Sequence, residues 1–416
     1  MLRLLITACM FCASVRLPAG DWPAWRGPDA NGHITDERVP LNWSAESAAW
    51  KTKIPGTGYS SPVVHSGHVF LTTSGYPAET DRSVLCLDLN SGRQLWSAKV
   101  FDSPVERMHR LNSAASSTPA CDDERVYVTF AENGYIGVAA LTHDGDVVWT
   151  RRPGTFESRH GLHSCPVLHG NRLLLNGTQD GEDAFVAALD TRTGEILWKT
   201  ERANKVRSFT APFITKVGDT EQVVVSGAGQ TIAYNLETGE EIWYCDGPAQ
   251  KTVSSIVTDG RLLFVPGGRE DLLLAIDPTG TGNVTETHIV WKAQKGIPYV
   301  PSPVLHEGIL HLVSDEGIYT CYDAATGQLL KQTRAAGRTS SSLVLAKGRI
   351  LLTEDSGVTH ILKSDGSGEE IDRNSVDATT YASLTPADGA LLIRTVDELL
   401  CYRGGDTPQT ASKAGP

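Results

Sequence analysis

The stretch Ala188-Leu189-Asp190-Thr191-Arg192-Thr193-Gly194-Glu195-Ile196-Leu197-Trp198-Lys199-Thr200-Glu201 decides the fold. An apolar run ends on Asp, a Thr-Gly turn follows, and a Trp stands four residues past the Gly. Short apolar runs bounded by Asp and Gly are strands joined by tight turns. The same Gly-to-Trp spacing recurs at Gly92 and Trp96, Gly145 and Trp149, and Gly239 and Trp243. Trp291 keeps the place after an insertion, whereas Lys331 and Asp372 hold it in the next two units.

Outward from this turn the rest of the unit repeats. Each unit opens on a Ser/Thr/Pro-like stretch and a short strand, as in Ser60-Ser61-Pro62-Val63-Val64, Ser164-Cys165-Pro166-Val167-Leu168 and Ser302-Pro303-Val304-Leu305. A Gly or Asp turn leads to a second, β-branched or Leu-rich strand, then a third, then the Trp strand. A period of roughly forty to fifty residues with four strands per unit is a propeller blade. The eighth unit lacks a fourth strand after Tyr402, and Ala48 to Ile54 resembles a fourth strand with no first three before it. The expectation is therefore an all-β, eight-bladed propeller of four-stranded antiparallel blades over residues 21–404, closed by residues 48–54; seven blades is the alternative. Pairing the two chain ends would remove sheet edges that invite aggregation. Trp50, Trp96, Trp149, Trp198, Trp243 and Trp291 are expected to be structural, covering the neighbouring blade. Trp22 and Trp25 lie outside the repeat and read as a plug or strap near the closure, with stacking on a ligand as the alternative.

Residues 1–20 read as a secretory signal peptide, with Arg3, an apolar run from Leu4 and small residues at Ala19 and Gly20. Ile6-Thr7-Ala8-Cys9 resembles a lipoprotein cleavage box, so a membrane-anchored lipoprotein is a variant of the exported, periplasmic or extracellular reading. Residues 405–416 read as a disordered tail. Lys plus Arg is 37 against Asp plus Glu at 49, a formal charge of −12 over 416 residues, which argues against nucleic acid as a partner. No apolar run after residue 20 approaches the ~18 residues of a membrane span. Cys86, Cys121, Cys165, Cys245, Cys321 and Cys401 are far apart with no CxxC, so buried thiols are expected rather than zinc or dithiol chemistry.

The Ala-Leu-Asp-x-x-Thr-Gly-Glu-x-x-Trp unit resembles the pyrroloquinoline quinone (PQQ)-like propeller repeat. Trp22-Pro23-Ala24-Trp25-Arg26-Gly27-Pro28, with the run Trp50 to Pro62, resembles exported bacterial PQQ-binding-like propellers, relatives of the assembly factor BamB. The resemblance covers nearly the whole chain after residue 20 and specifies fold far better than function. It implies two branches. Quinoprotein dehydrogenases use PQQ with Ca²⁺, an adjacent Cys-Cys disulfide, a stacked Trp and an Asp base; BamB-like members carry no cofactor and dock proteins. This chain has no adjacent cysteines and no CxxCH, so the leading expectation is a non-catalytic platform in the cell envelope, binding a protein partner or a small anionic ligand as a monomer. A PQQ-dependent dehydrogenase and an acidic-polysaccharide binder are the alternatives.

With the first strand of each blade innermost, the inter-blade loops and the second-to-third-strand loops share one face. The inter-blade loops place His109, Arg110 and Asn112, then Arg159, His160 and His163, near the axis. Arg207, Lys251, Tyr299, Arg338 and Tyr381 follow in the later loops. Converging cations in a concave mouth would focus an anionic ligand; the PQQ alternative assigns Arg110, His163, Arg207 and Arg338 to its carboxylates. The acidic second-to-third-strand loops, including Asp180, Asp315, Glu354 and Asp355, are expected to be solvated hairpin turns. No catalytic residue and no metal site is assigned.

Overall fold

The computed structural model describes residues 20–248 and 251–404. The expectations for a signal peptide, a lipoprotein box and a disordered tail fall on residues outside these, apart from Gly20. Within them the apolar runs pair as antiparallel hairpins that sort into eight sheets. The third unit shows why. Val167–His169, Arg172–Gly177, Phe185–Asp190 and Ile196–Glu201 follow one another across the sheet, with Leu174 opposite Ala188 and Ala188 opposite Trp198. The two middle strands are buried almost throughout, while the outer strand keeps only Trp198 buried. Both faces of a middle strand are covered because blades stack on one another.

The ring closes as the sequence requires. Trp50–Lys53 pairs antiparallel with Glu398–Arg403, Trp50 opposite Cys401 and Lys53 opposite Glu398, giving the eighth blade its fourth strand. In blades 1 to 7 the register shifts by a bulge between the third and fourth strands. Blade 8 has no turn joining these two strands, and its register is regular. The bulge thus accompanies the turn that joins the third and fourth strands. In blade 3, Asp190 accepts the amides of Arg192 and Thr193 and the Thr193 hydroxyl on one oxygen, and Gly194 takes φ of +71°.

Five of the six repeat tryptophans reach the turn of the next blade. The indole N–H of Trp50, Trp96, Trp149, Trp198 and Trp291 donates to the carbonyl of Leu89, His143, Thr191, Leu236 and Ala324, at 2.8–3.0 Å. The turn glycine lies flat on the ring: a Cβ on Gly239 would fall 2.5 Å from Trp198. Trp243 differs because the insertion in blade 5 brings Gly282–Asn283 alongside its strand, and its N–H goes to Gln222 instead. Lys331 leaves this role to Leu330 and Ile309, which approach Gly366. Asp372 faces blade 8, where no such turn exists to be covered.

A belt of hydrogen bonds runs round the inner strands. Ser255 N donates to Ser302 Oγ, Ser302 N to Ser342 Oγ, Ser342 N to Ser383 Oγ, and Ser383 N to Ser61 Oγ, each at 2.9–3.1 Å. Ser61 N continues to Thr118 Oγ1 and Thr118 N to Cys165 Sγ. Blade 4 carries Ala211 at this position and supplies no side-chain acceptor. These amides are buried next to the channel, where an unmatched N–H is costly, so a hydroxyl from the next blade both satisfies them and ties neighbours together.

The segment before the closing strand is a strap. Trp22 pairs with Val64 of blade 1 through both backbone bonds, Pro23 O accepts Cys121 N of blade 2, and Trp25 Nε1 donates to Ser255 of blade 5 at 3.0 Å. The buried Arg26 guanidinium donates to Pro303 O and Leu343 O, and His33–Ile34 lies parallel to the inner strand of blade 7. Trp43 then packs on Tyr402. The six cysteines among the described residues are free and buried. Burial pushes the Cys86 and Cys245 thiols up to about 12 and that of Cys165 to about 11, which makes them poor nucleophiles. Among the described residues no helix is long and apolar enough to cross a membrane.

Candidate functional site

Inner strands that begin on a tight hydrogen-bonded belt leave their preceding loops free to converge over the axis. These loops enclose a cavity of about 560 Å³ with contributions from every blade and from the strap. Tyr59 and Tyr381 pack edge-on at 4.9 Å. His109 and His160 stack at 5.8 Å with rings nearly parallel, and His160 leans on Phe209. Asn112 holds this side by donating to His160 O at 2.7 Å. Arg269 lies over the Tyr299 ring at 4.6 Å. Trp25 forms the inner end.

Seven of the expected positions line this cavity: His109, Asn112, His160, His163, Tyr299, Arg338 and Tyr381. The other four do not. Arg110 and Arg159 are exposed and do not line the cavity. Arg207 is buried against Asp180 in an ion pair. Lys251 does not line the cavity, and burial with the nearby Arg207 and Arg269 charges lowers its pKa. Arg338 is itself paired with Asp355 at 3.3 Å. Burial also drops His160 and His163 to about 4, with Arg207 and Lys251 adding to the effect at His160. Both imidazoles are neutral at pH 7. The expected ring of cations is therefore replaced by two arginines, Arg269 and Arg338, against Asp271, Asp315 and Glu316.

The acidic loops also depart from the expectation of solvated turns. Asp315 accepts the amides of Tyr299 and Val300, Asp355 that of Ser340, and Glu354 that of Gly337. Glu354 also bonds His360 at 2.9 Å. Long inter-blade loops leave amides without strand partners, and a carboxylate on the adjacent loop satisfies them. Burial raises the pKa of Asp315 and Asp355 despite these bonds. Among the described residues no group of three or more His, Cys, Asp or Glu is arranged to hold a metal ion.

Three lining residues were not singled out from the sequence. Tyr59 stands in the loop entering blade 1 just as Tyr381 does entering blade 8, and comparing Gly58-Tyr59-Ser60-Ser61 with Thr380-Tyr381-Ala382-Ser383 exposes the match. Arg269 stands directly before Glu270 and Asp271, and the two acids mask it in the sequence. Phe209 carries no local signal, because only the neighbouring blade brings His160 onto it.

Comparisons with known proteins agree with this architecture. The chain is 24% identical over 326 residues to the outer membrane protein assembly factor BamB of Yersinia pestis, covering 78% of this chain and 70% of that protein. It is 28% identical over 186 residues to methanol dehydrogenase [cytochrome c] subunit 1 of Methylorubrum extorquens, covering 38% of this chain and 28% of the enzyme. The structure of a quinohemoprotein alcohol dehydrogenase from Comamonas testosteroni superposes with a TM-score of 0.65 at 13% identity, over 93% of this chain and 81% of that one, a likeness of fold. The family profile described as outer membrane protein assembly factor BamB matches residues 33–149, 78–182, 182–301 and 283–369 in succession, and the chain belongs to that family.

Proposed function

We propose that the protein is a non-catalytic binding platform of the cell envelope, exported and monomeric, that engages its ligand or partner at the mouth of the propeller. The observation that carries this reading is the cavity of about 560 Å³ to which every blade contributes a loop. Its volume falls within the ~300–1,000 Å³ of ordinary ligand sites, and loops on a rigid ring are where binding residues concentrate. Membership of a family described as an outer membrane assembly factor supports placing it in the envelope.

The dehydrogenase alternative fits the lining poorly. PQQ is a tricarboxylate, and three carboxylates of the lining stand against two arginines, one of them already paired. Cys165 is the one cysteine at the cavity and serves the belt, so no disulfide can face a quinone there. No step through the cofactor is derived.

The face engaged can be read by a photo-crosslinking residue at Tyr381 on the mouth or at Leu197, 44% exposed on the outer rim, in full-length protein in its native envelope. A discrete adduct from position 381 and none from 197 is expected. An adduct from 197 alone, or from neither, would overturn the mouth as the engaged face.

A further inference from the structure

The cavity is closed at its inner end by the strap. Beyond Trp25 lies a void of about 10 Å³, bounded by Trp22, Arg26 and the inner strands, enough for at most a single water. Trp25 is only partly buried, and its N–H is already bound to Ser255. The indole is thus fixed in place, an amphipathic surface at the bottom of a blind pocket. Resting on the reading that the mouth is the engaged face, we propose that this pocket is a saccharide site, with Trp25 as the platform on which a sugar ring lies.

Three features of the lining select that chemistry. Aromatic side chains stand at the floor and on one wall, Trp25 below and Tyr59, Tyr381 and Tyr299 around it. Each presents an apolar surface suited to the C–H face of a pyranose ring while its polar tip stays available for hydrogen bonding. Also in the lining, His163 is neutral, with burial as the sole cause. Its ring lines the cavity, and a neutral imidazole offers one donor and one acceptor, the pattern a sugar hydroxyl answers. The charges, finally, do not sum to a strong field of either sign. With Arg338 spent on Asp355 and Asp315 spent on loop amides, a polyanion or polycation has little to gain, whereas an uncharged polyhydroxylated ring loses nothing.

The test uses the full chain on a glycan array of neutral, N-acetylated and uronate-containing oligosaccharides, read at low and raised salt. Wild type, Trp25→Ala, Trp25→Phe, His163→Ala and the rim control Leu197→Ser are compared. Wild type and Leu197→Ser are expected to retain neutral or N-acetylated oligosaccharides with little dependence on salt. Trp25→Ala and His163→Ala should each weaken retention by about tenfold or more, and Trp25→Phe should recover most of it. Should Trp25→Ala lose its cooperative melting transition, Trp25→Phe and His163→Ala carry the comparison. A wild type that retains no oligosaccharide, retention confined to uronates and abolished by salt, or retention indifferent to both His163→Ala and Trp25→Ala would overturn the proposal. A blank array alongside a mouth-specific crosslink would remove the saccharide and leave the platform standing.

Discussion

At the scale of single residues, the repeating Trp and Gly act as one unit across a blade boundary. Replacing Trp198 by Ala removes a ring that seats Gly239 and caps Leu236 O. A loss of about 3–5 kcal/mol is expected in denaturant unfolding, against little change for Lys331→Ala, whose place in the repeat is exposed. The belt offers a second test. Ser342→Ala leaves the buried Ser302 amide without its acceptor, a cost of about 1–3 kcal/mol, while Cys165→Ser keeps an acceptor for Thr118 and should unfold like wild type. His311 is fully buried, bonded to the Tyr319 hydroxyl, and depressed to about 3 chiefly by burial. A histidine that titrates lower in the fold than in the unfolded chain destabilises the fold as pH falls from about 6.5, because the unfolded state takes up the proton first. His160 and His163 act in the same window, down to about 4. The raised carboxyls of Glu106, Asp315 and Asp355 act in the opposite sense. Melting temperature should therefore fall between pH 6.5 and 4, and less steeply in His311→Asn.

Elements were the most legible part of the sequence. The strand runs, the turn chemistry and the wrap of residues 48–54 onto the last blade all follow from local pattern, since a hairpin signal needs only neighbours in the chain. The site was legible only in part, for a reason visible in particular residues. His160, Tyr299 and Tyr381 could be placed at the mouth because the repeat fixes which loops point there. Arg207 occupies an equivalent loop, yet Asp180 on the adjacent loop turns it away from the cavity, and no spacing within either loop announces that pairing. The same holds for Asp315, whose acidic turn looked solvated until the amides of Tyr299 and Val300 were seen against it. Contacts between loops of neighbouring blades are long-range in sequence and leave no periodic trace.

For the whole molecule, closure and strap together make a rigid ring with one open mouth. The strap ties blades 1, 2, 5, 6 and 7 across the axis, so its Trp25 is held by much of the ring and not by a flexible terminus. The chain is similar both to relatives named as assembly factors and to relatives named as dehydrogenases. The most direct measurement is isothermal titration of the full chain with PQQ, with and without Ca²⁺. A binding platform whose mouth carries Asp271, Asp315 and Glu316 against two arginines should give no saturable heat and no shift in melting temperature in either condition. Saturable binding that depends on Ca²⁺ would contradict the account and return the protein to the cofactor enzymes.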